Sequence, residues 1–161
     1  MSGAAEAEKV RELMADARLA MLTSVDGGAG RLVSRPMAVQ EVEDDGTVWF
    51  FASDESPKAD QLAADPSVNV AFTGGSSWVS LAGRGEIVHD REKVHQLWNA
   101  GVEAWFPDGP DSDDVALLRV TPESAEYWDT PGGKVASVLA FAKSKVTGER
   151  PDIGESGVVE L

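Results

Sequence analysis

The chain has 161 residues, of which 42% are hydrophobic and 26% are charged, a composition typical of one folded domain. Fourteen Lys and Arg residues stand against 28 Asp and Glu, and the net charge of −14 argues against nucleic acid and anionic membranes as partners. The sequence has no cysteine, no apolar run of membrane-spanning length and no signal-peptide pattern at its start. We therefore expect a cytoplasmic protein made of a single domain over residues 1–161.

The first third of the chain predicts one helix followed by short strands. Apolar residues recur at helical spacing from Val10 to Ala17, which indicates an amphipathic helix. Turn residues then separate three segments that are rich in apolar, β-branched and aromatic side chains. These segments predict strands over residues 19–25, 32–42 and 47–52.

The middle of the chain predicts a helix and two further strands. Ser56 followed by Pro57 is typical of a helix start, and Pro66 ends that helix. Strands are predicted over 68–72 and 78–88, and the glycines at 83 and 85 indicate a bulge in the second of them.

The last third predicts a helix capped by Asp90, a loop over 109–114, and strands over 115–120 and 125–128 that are interrupted at Pro122. A final helix is expected to carry Val135, Val138, Leu139 and Ala142, with a surface tail after Gly148. Six or seven short strands with helices inserted between them predict a mainly β fold, an antiparallel barrel decorated by helices.

Several familiar sites are excluded by their context. The glycines at 27–30 follow a predicted strand but precede another strand, so they do not form a dinucleotide fingerprint. His89 and His95, the two histidines of the chain, flank a helix start and indicate surface positions rather than a metal site. No G-x-S-x-G motif is present. We assign no metal ligand and no catalytic residue.

Two basic residues occupy unusual positions. Arg35 lies in a predicted strand beside Pro36, which restricts that strand to an edge or a bulge, although an exposed arginine would fit there as well. Lys58 lies in the first turn of the helix that starts at Ser56, where a cation opposes the helix dipole. Either an anion binds there to Lys58, the Ser56 hydroxyl and free N–H groups, or Lys58 is simply solvated. The residues alone leave both interpretations open.

The five tryptophans divide into two groups. Trp49 and Trp128 alternate with other apolar residues in strands and Trp98 lies on the apolar face of a helix, so all three are expected in the core. Trp78 and Trp105 stand beside small residues or in a loop, so they are candidates for a planar ligand or a subunit interface, with core positions as the alternative.

Seven short motifs occur in order along the chain: TSVD at 23–26, SRPMA at 34–38, WFFASDESPK at 49–58, LWN at 97–99, AWFP at 104–107, LLRVTP at 117–122 and EYWD at 126–129. The ordered set resembles the general stress protein branch of the pyridoxamine-phosphate-oxidase-like flavoproteins. The resemblance extends over nearly the whole chain, from Val10 to Leu161.

The resemblance implies a split β-barrel of Greek-key type that forms a homodimer with flavin mononucleotide (FMN) at the subunit interface. It implies that Arg35 and Lys58 clamp the FMN phosphate and that Ser56 contacts it. The remaining residues it assigns to the cofactor are Pro36 and Met37 beside the arginine, the backbone of Phe51, Ala52 and Ser53 along the flavin ring, and Trp78 and Trp105 from the partner subunit.

The implied function is that of an FMN-dependent oxidoreductase with a small-molecule redox partner. Alternatives are a non-catalytic flavin-binding stress or storage protein, the same fold with a deazaflavin coenzyme, and a barrel with an empty site. Pro57 stands where the vitamin-making oxidases carry arginine, and the chain ends without their arginine-bearing substrate motif. We therefore do not expect oxidation of pyridoxamine phosphate.

Overall fold

The structure is a computed structural model that describes residues 3–130, 142–149 and 154–161. Its elements follow one another in chain order as α1 (Gly3–Asp16), β1 (Leu19–Asp26), β2 (Arg31–Ala38), β3 (Glu41–Val42), β4 (Val48–Ser53), α2 (Pro57–Ala64), β5 (Ser67–Gly74), β6 (Ser77–Val88), α3 (Arg91–Leu97), α4 (Ala100–Trp105), β7 (Val115–Asp129) and β8 (Glu155–Glu160).

The strands form one antiparallel sheet in the order β2-β1-β5-β6-β7-β4-β3, and β8 pairs with β7. The sheet curls so that β2 approaches β4, yet no ladder joins these two strands in the described part of the chain. The curl leaves a split in the barrel between them. The mainly β, antiparallel architecture predicted from the sequence is confirmed.

The core has two parts because β4 is buried on both faces. Its inward residues Val48, Phe50 and Ala52 join the main core with the inner faces of the other strands and with α1 and α2. Its outward residues Trp49 and Phe51 join a second apolar cluster, which α3 and α4 cover. A strand with apolar residues at every position is the pattern expected when both faces are covered.

The segment predicted as one strand over 32–42 is two strands at opposite ends of the sheet. Residues 31–38 pair with β1, whereas Glu41 and Val42 pair with β4. The chain crosses between them at Val39, whose N–H donates to the carbonyl of Arg18, and at Gln40, whose N–H donates to the carbonyl of Trp49. The break between β2 and β3 is set by the two different strands with which they pair, β1 and β4. The apolar pattern is continuous through residues 32–42 and therefore did not show it.

The opposite error occurred in β7, where a break was predicted at Pro122 and the strand is continuous. On one side of β7, the ladder with β4 ends at Val120 and the ladder with β8 begins at Ser124. On the other side, Pro122 faces Gly83, and the register shifts there because Glu123 of β7 has no partner on β6. The proline therefore lies between the two ladders and beside a bulge, where its missing N–H is tolerated; the bulge is on β7 and not on β6, where it was predicted.

Three other differences concern short elements. The α4 helix, which the prediction omitted, is capped by the Asn99 side chain accepting from the N–H of Val102 at 3.1 Å. The surface tail contains β8, whose Val159 is buried. The predicted helix with Val135, Val138 and Leu139 lies outside the described residues, and residues 142–147 are helical.

The bulge opposite Gly83 yields a stability prediction. A Cβ atom at this position would overlap the backbone carbonyl oxygen of Thr121, which cannot move without breaking the β6–β7 ladder. We expect Gly83→Ala to lower the free energy of unfolding by about 1–3 kcal/mol. Urea denaturation would measure it. Gly28→Ala is the control, because an added Cβ there meets no atom closer than 3.7 Å; equal losses would contradict the prediction.

Candidate functional site

Arg35 lies on β2, at the edge of the sheet, as Pro36 required. It pairs with Leu22 of β1, so its side chain is on the inner face of the sheet, near the end of the barrel that α2 covers. Its Nη1 donates to Ser24 Oγ and its Nη2 donates to Gln61 Oε1, both at 3.0 Å. Arg35 is therefore a partly buried and oriented cation, not the exposed strand arginine that the sequence also allowed.

Lys58 lies in the first turn of α2, directly after Pro57 at the start of the helix. Its side chain is partly buried. Burial is the main cause of the lowered pKa of the Lys58 ammonium, and the nearby positive charge of Arg35 lowers it further. Two cations with the same charge are thus held close together at one helix terminus.

Ser56 occupies the N-cap position of α2 in an extended backbone conformation, as predicted, but its side chain makes no capping hydrogen bond. Its Oγ is buried and has no hydrogen-bond partner among the described residues. Buried hydroxyls in native proteins nearly always have a partner, so this one is available to a bound molecule or to water.

Four other cations of the chain are paired with carboxylates. Lys9 pairs with Asp129, Arg11 with Glu8, Lys93 with Glu41 and Arg119 with Glu86. Within the described ranges, neither Arg35 nor Lys58 has a carboxylate within ion-pair distance, although acidic residues outnumber basic ones two to one. The site is a local positive region on an acidic protein.

The split of the barrel runs alongside this positive region. The ladder between β3 and β4 ends at Trp49, and beyond it the free edge of β4 faces β2. The side chains of its last residues are already engaged: Phe51 and Ala52 are buried, and the Ser53 hydroxyl donates to Asp114. A ligand in the split could therefore contact the backbone of β4 and, further along the chain, the start of α2.

The family follows from the comparison of the whole chain with known proteins. The model of the family described as "Pyridoxamine 5'-phosphate oxidase like" matches residues 5–152. The chain belongs to this family. Protein bli-3 of Neurospora crassa is 31% identical over 156 residues, which cover 88% of this chain and 75% of bli-3.

Solved structures place the chain in the general stress protein branch of the family. One solved structure, described as a general stress protein 26 from Jannaschia sp. CCS1, is 32% identical to this chain and has a TM-score of 0.80. The match covers 98% of this chain and 99% of that one. A heme-binding protein from Mycobacterium smegmatis shares the fold, with 16% identity and a TM-score of 0.66 over 99% of this chain and 58% of its own.

No helix in the described part of the chain is long and apolar enough to cross a membrane.

The other residues that the family resemblance assigns to the cofactor lie on two faces of the sheet. Met37, on the inner face with Arg35, packs against the main core, whereas Pro36 is exposed on the outer face. Trp78 is also on the outer face and is 46% exposed, and Trp105 of α4 is 85% exposed. Within one subunit, the structure brings Arg35, Ser56 and Lys58 together, but it places Trp78 on the opposite face of the sheet.

The core assignment of Trp128 was wrong. Trp128 lies directly opposite Trp78 in the β6–β7 ladder and is 41% exposed. The alternation along β7 is interrupted by the bulge, so the pattern of apolar residues in the sequence gave the wrong face. The two tryptophans form an exposed aromatic pair on the outer face.

The histidines are surface residues, as expected. Nε2 of His89 lies 2.9 Å from Asp54 Oδ1, and Nε2 of His95 lies 2.8 Å from Asp111 Oδ1. The described residues contain no group of three or more side chains with metal-binding character.

Two residues of the site were missed in the sequence. Gln61 follows Lys58 by three residues and therefore lies on the same side of α2, a spacing that could have been noticed. Ser24 is a polar residue at a fully buried, inward position of β1, where Ala20 and Leu22 set an apolar pattern. A buried serine in such a pattern signals a polar partner, but the sequence does not say which one.

The lowered pKa of Lys58 predicts that this residue destabilises the ligand-free protein. A group whose pKa is lowered by folding costs stability while it is protonated, and the cost disappears as the pH rises toward the ordinary lysine value of 10.5. We expect Lys58→Met to raise the unfolding temperature at neutral pH and to lose this advantage near pH 10.5. Thermal unfolding across this range is the measurement.

The exposed Lys143 provides the control, because Lys143→Met changes the net charge equally without relieving buried charge. A rise of the same size in both variants would attribute the effect to net charge and not to the site.

Proposed function

We propose that this protein binds FMN by its phosphate at Arg35, Lys58 and the start of α2, and that it works as a homodimeric flavin-dependent oxidoreductase. The observation that carries the proposal is a pair of neighbouring cations without carboxylate partners, next to a buried and unpaired hydroxyl, on a protein of net charge −14. Such an arrangement is costly unless an anion completes it.

A phosphate monoester fits each of these groups. Arg35 has N–H donors left after its two protein hydrogen bonds, and Lys58 has three donors. The Ser56 hydroxyl and the N–H groups of the first turn of α2 add neutral donors, and the helix dipole favours negative charge at that end. Bound phosphate would also remove the repulsion that lowers the pKa of Lys58.

A planar ring attached to that phosphate would extend along the split, beside β4. When bound, the flavin supplies the ability to accept and donate electrons, which the side chains of the chain lack. The protein would orient the flavin ring through hydrogen bonds from the backbone of residues 51–53, and it would shield the ring from water.

The phosphate clamp can be tested by comparing FMN with riboflavin, which lacks the phosphate. We expect Arg35→Ala and Lys58→Ala each to weaken FMN binding by about 1.5–3 kcal/mol, or roughly 10- to 150-fold. Riboflavin should bind weakly to the parent protein and with nearly equal affinity to both variants. Fluorescence titration of the ligand-free proteins gives all six dissociation constants.

The exposed Arg31, on the same strand, is the matched control, and Arg31→Ala should leave FMN binding unchanged. Unchanged FMN affinity in Arg35→Ala and Lys58→Ala would reject the site. Equal weakening of FMN and riboflavin would show that the two cations only maintain the fold.

The proposal of a dimer is supported by the outer face of the sheet. Strand pairing aligns Pro36, Met21 and Ala71 in one row across β2, β1 and β5, and the next row contains the Trp78–Trp128 pair. Large apolar side chains exposed on this face are Leu19, Met21, Leu32, Trp78, Trp128 and Val158. Several large apolar side chains exposed on one face, two of them tryptophans, are typical of an isologous interface.

A charge introduced on this face should therefore dissociate the dimer. We expect the parent to sediment as a dimer and Trp78→Glu to raise the dimer dissociation constant by at least about 30-fold, since central interface aromatics contribute 2 kcal/mol or more. Val146→Glu, an exposed valine of the helical segment 142–147, is the control and should remain dimeric. A parent that sediments as a monomer with flavin bound would refute the proposal.

A non-catalytic flavin-binding protein is the second candidate, because the side chains at the end of β4 are engaged and leave no free acid or base there. Anaerobic reduction of the bound flavin, followed by reoxidation with candidate acceptors, separates the two. We propose that pyridoxamine phosphate is not the substrate.

The visible spectrum of the purified protein, together with the mass of the released cofactor, distinguishes FMN from the other candidates. A deazaflavin coenzyme carries a longer acidic tail, which would require cations beyond Arg35 and Lys58. Heme, bound by the structural neighbour from M. smegmatis, has a different spectrum. A colourless preparation that takes up no flavin would indicate an empty barrel.

A further inference from the structure

Arg35 is held by a closed triangle of hydrogen bonds that joins three elements of the fold. Its two terminal nitrogens donate to Ser24 Oγ of β1 and to Gln61 Oε1 of α2, both at 3.0 Å. Ser24 Oγ donates in turn to the same Gln61 oxygen at 2.9 Å. Ser24 is fully buried, so the triangle has a rigid base in the barrel.

We propose that Ser24 and Gln61 are positioning residues, which fix the Arg35 guanidinium for a phosphate without neutralising its charge. This inference rests on the proposed function, because it names residues that act on the ligand only through Arg35. Neither residue is required to touch the ligand.

The choice of acceptors supports this role. Arg11 and Arg119 of the same chain are held by glutamates and the exposed Arg91 by backbone carbonyls, whereas the partly buried Arg35 is held by a side-chain hydroxyl and an amide. A carboxylate in the place of Gln61 would hold the guanidinium at least as firmly, but it would cancel the charge that attracts an anion. The neutral pair provides orientation and retains the charge.

The number of donors leads to the same conclusion. A guanidinium has five N–H groups, and Ser24 and Gln61 accept from one on each terminal nitrogen. Three N–H groups therefore remain for a ligand, and the planar guanidinium cannot rotate away from it while both bonds are present. An arginine fixed in this way loses less conformational entropy on binding than a free one.

Gln61 also connects the two cations of the site. It lies one helical turn after Lys58 on α2, and α2 packs against β1. The bond from Arg35 to Gln61 therefore fixes the position of the strand cation relative to the helix that carries the other cation. A phosphate needs both at a defined separation.

The informative substitution is Gln61→Glu, which keeps the shape of the side chain and adds one negative charge. We expect FMN to bind about 10-fold or more weakly, riboflavin to change by less than about two-fold, and the unfolding temperature of the ligand-free protein to stay equal or rise. Gln96→Glu, at an exposed position of α3, is the matched control for the change in net charge and should leave FMN binding unchanged.

The second substitution, Ser24→Ala, removes one acceptor without adding charge and keeps the test available if Gln61→Glu fails to fold. We expect FMN to bind roughly 3- to 10-fold more weakly to Ser24→Ala, again with little change for riboflavin. In the Arg35→Ala background, Ser24→Ala should have no further effect on FMN, because its action passes through Arg35.

The outcomes separate this inference from the proposed function. If Arg35→Ala weakens FMN but Gln61→Glu and Ser24→Ala do not, the positioning role is wrong and the phosphate site stands. If both substitutions weaken FMN and riboflavin equally, Ser24 and Gln61 only join α2 to the barrel, and the inference is again overturned. If Arg35→Ala leaves FMN affinity unchanged, the proposed function and the positioning role fail together.

Discussion

The burial of two neighbouring cations, Arg35 and Lys58, is the constraint on which the site depends. Burial lowers the pKa of Lys58 and the positive charge of Arg35 lowers it further, so the two partly buried cations cost stability in the ligand-free protein. They stay together because each is fixed by separate parts of the fold, the arginine by β2 and its neutral acceptors and the lysine by the first turn of α2. The barrel supplies the rigidity that this arrangement needs.

Strand β2 connects the site with the outer face. Its side chains alternate, so Arg35 and Met37 point inward while Pro36 and Ala38 point outward. Because β2 is an edge strand, both sets lie next to the split in the barrel. A contact made by a second subunit on the outer face would therefore lie only one residue away from Arg35, which agrees with the proposal of a cofactor between subunits.

Features that depend on residues close together in the chain could be predicted from the sequence. The position of Arg35 beside a proline and of Lys58 after Ser56-Pro57 marked both cations, and the glycine at 83 marked the place where the register shifts, although not the strand that carries the bulge. The partners of Arg35 were not predictable, because Ser24 and Gln61 meet it only through tertiary packing. The continuity of β7 across Pro122 and the exposure of Trp128 depend on the neighbouring ladders, so local propensity gave the wrong answer for both.

The burial of β4 on both faces has a consequence for the evolvability of the family. Phe50 and Ala52 are fixed by the main core and Trp49 and Phe51 by the second cluster, so β4 has almost no position free to vary. Phe51 meets Trp98 edge-on at 5.8 Å and Phe106 at 6.5 Å, both from the segment around α3 and α4. Selection for a new substrate can therefore act on that helical cover and its loops, while the strand beside the proposed cofactor site keeps its shape.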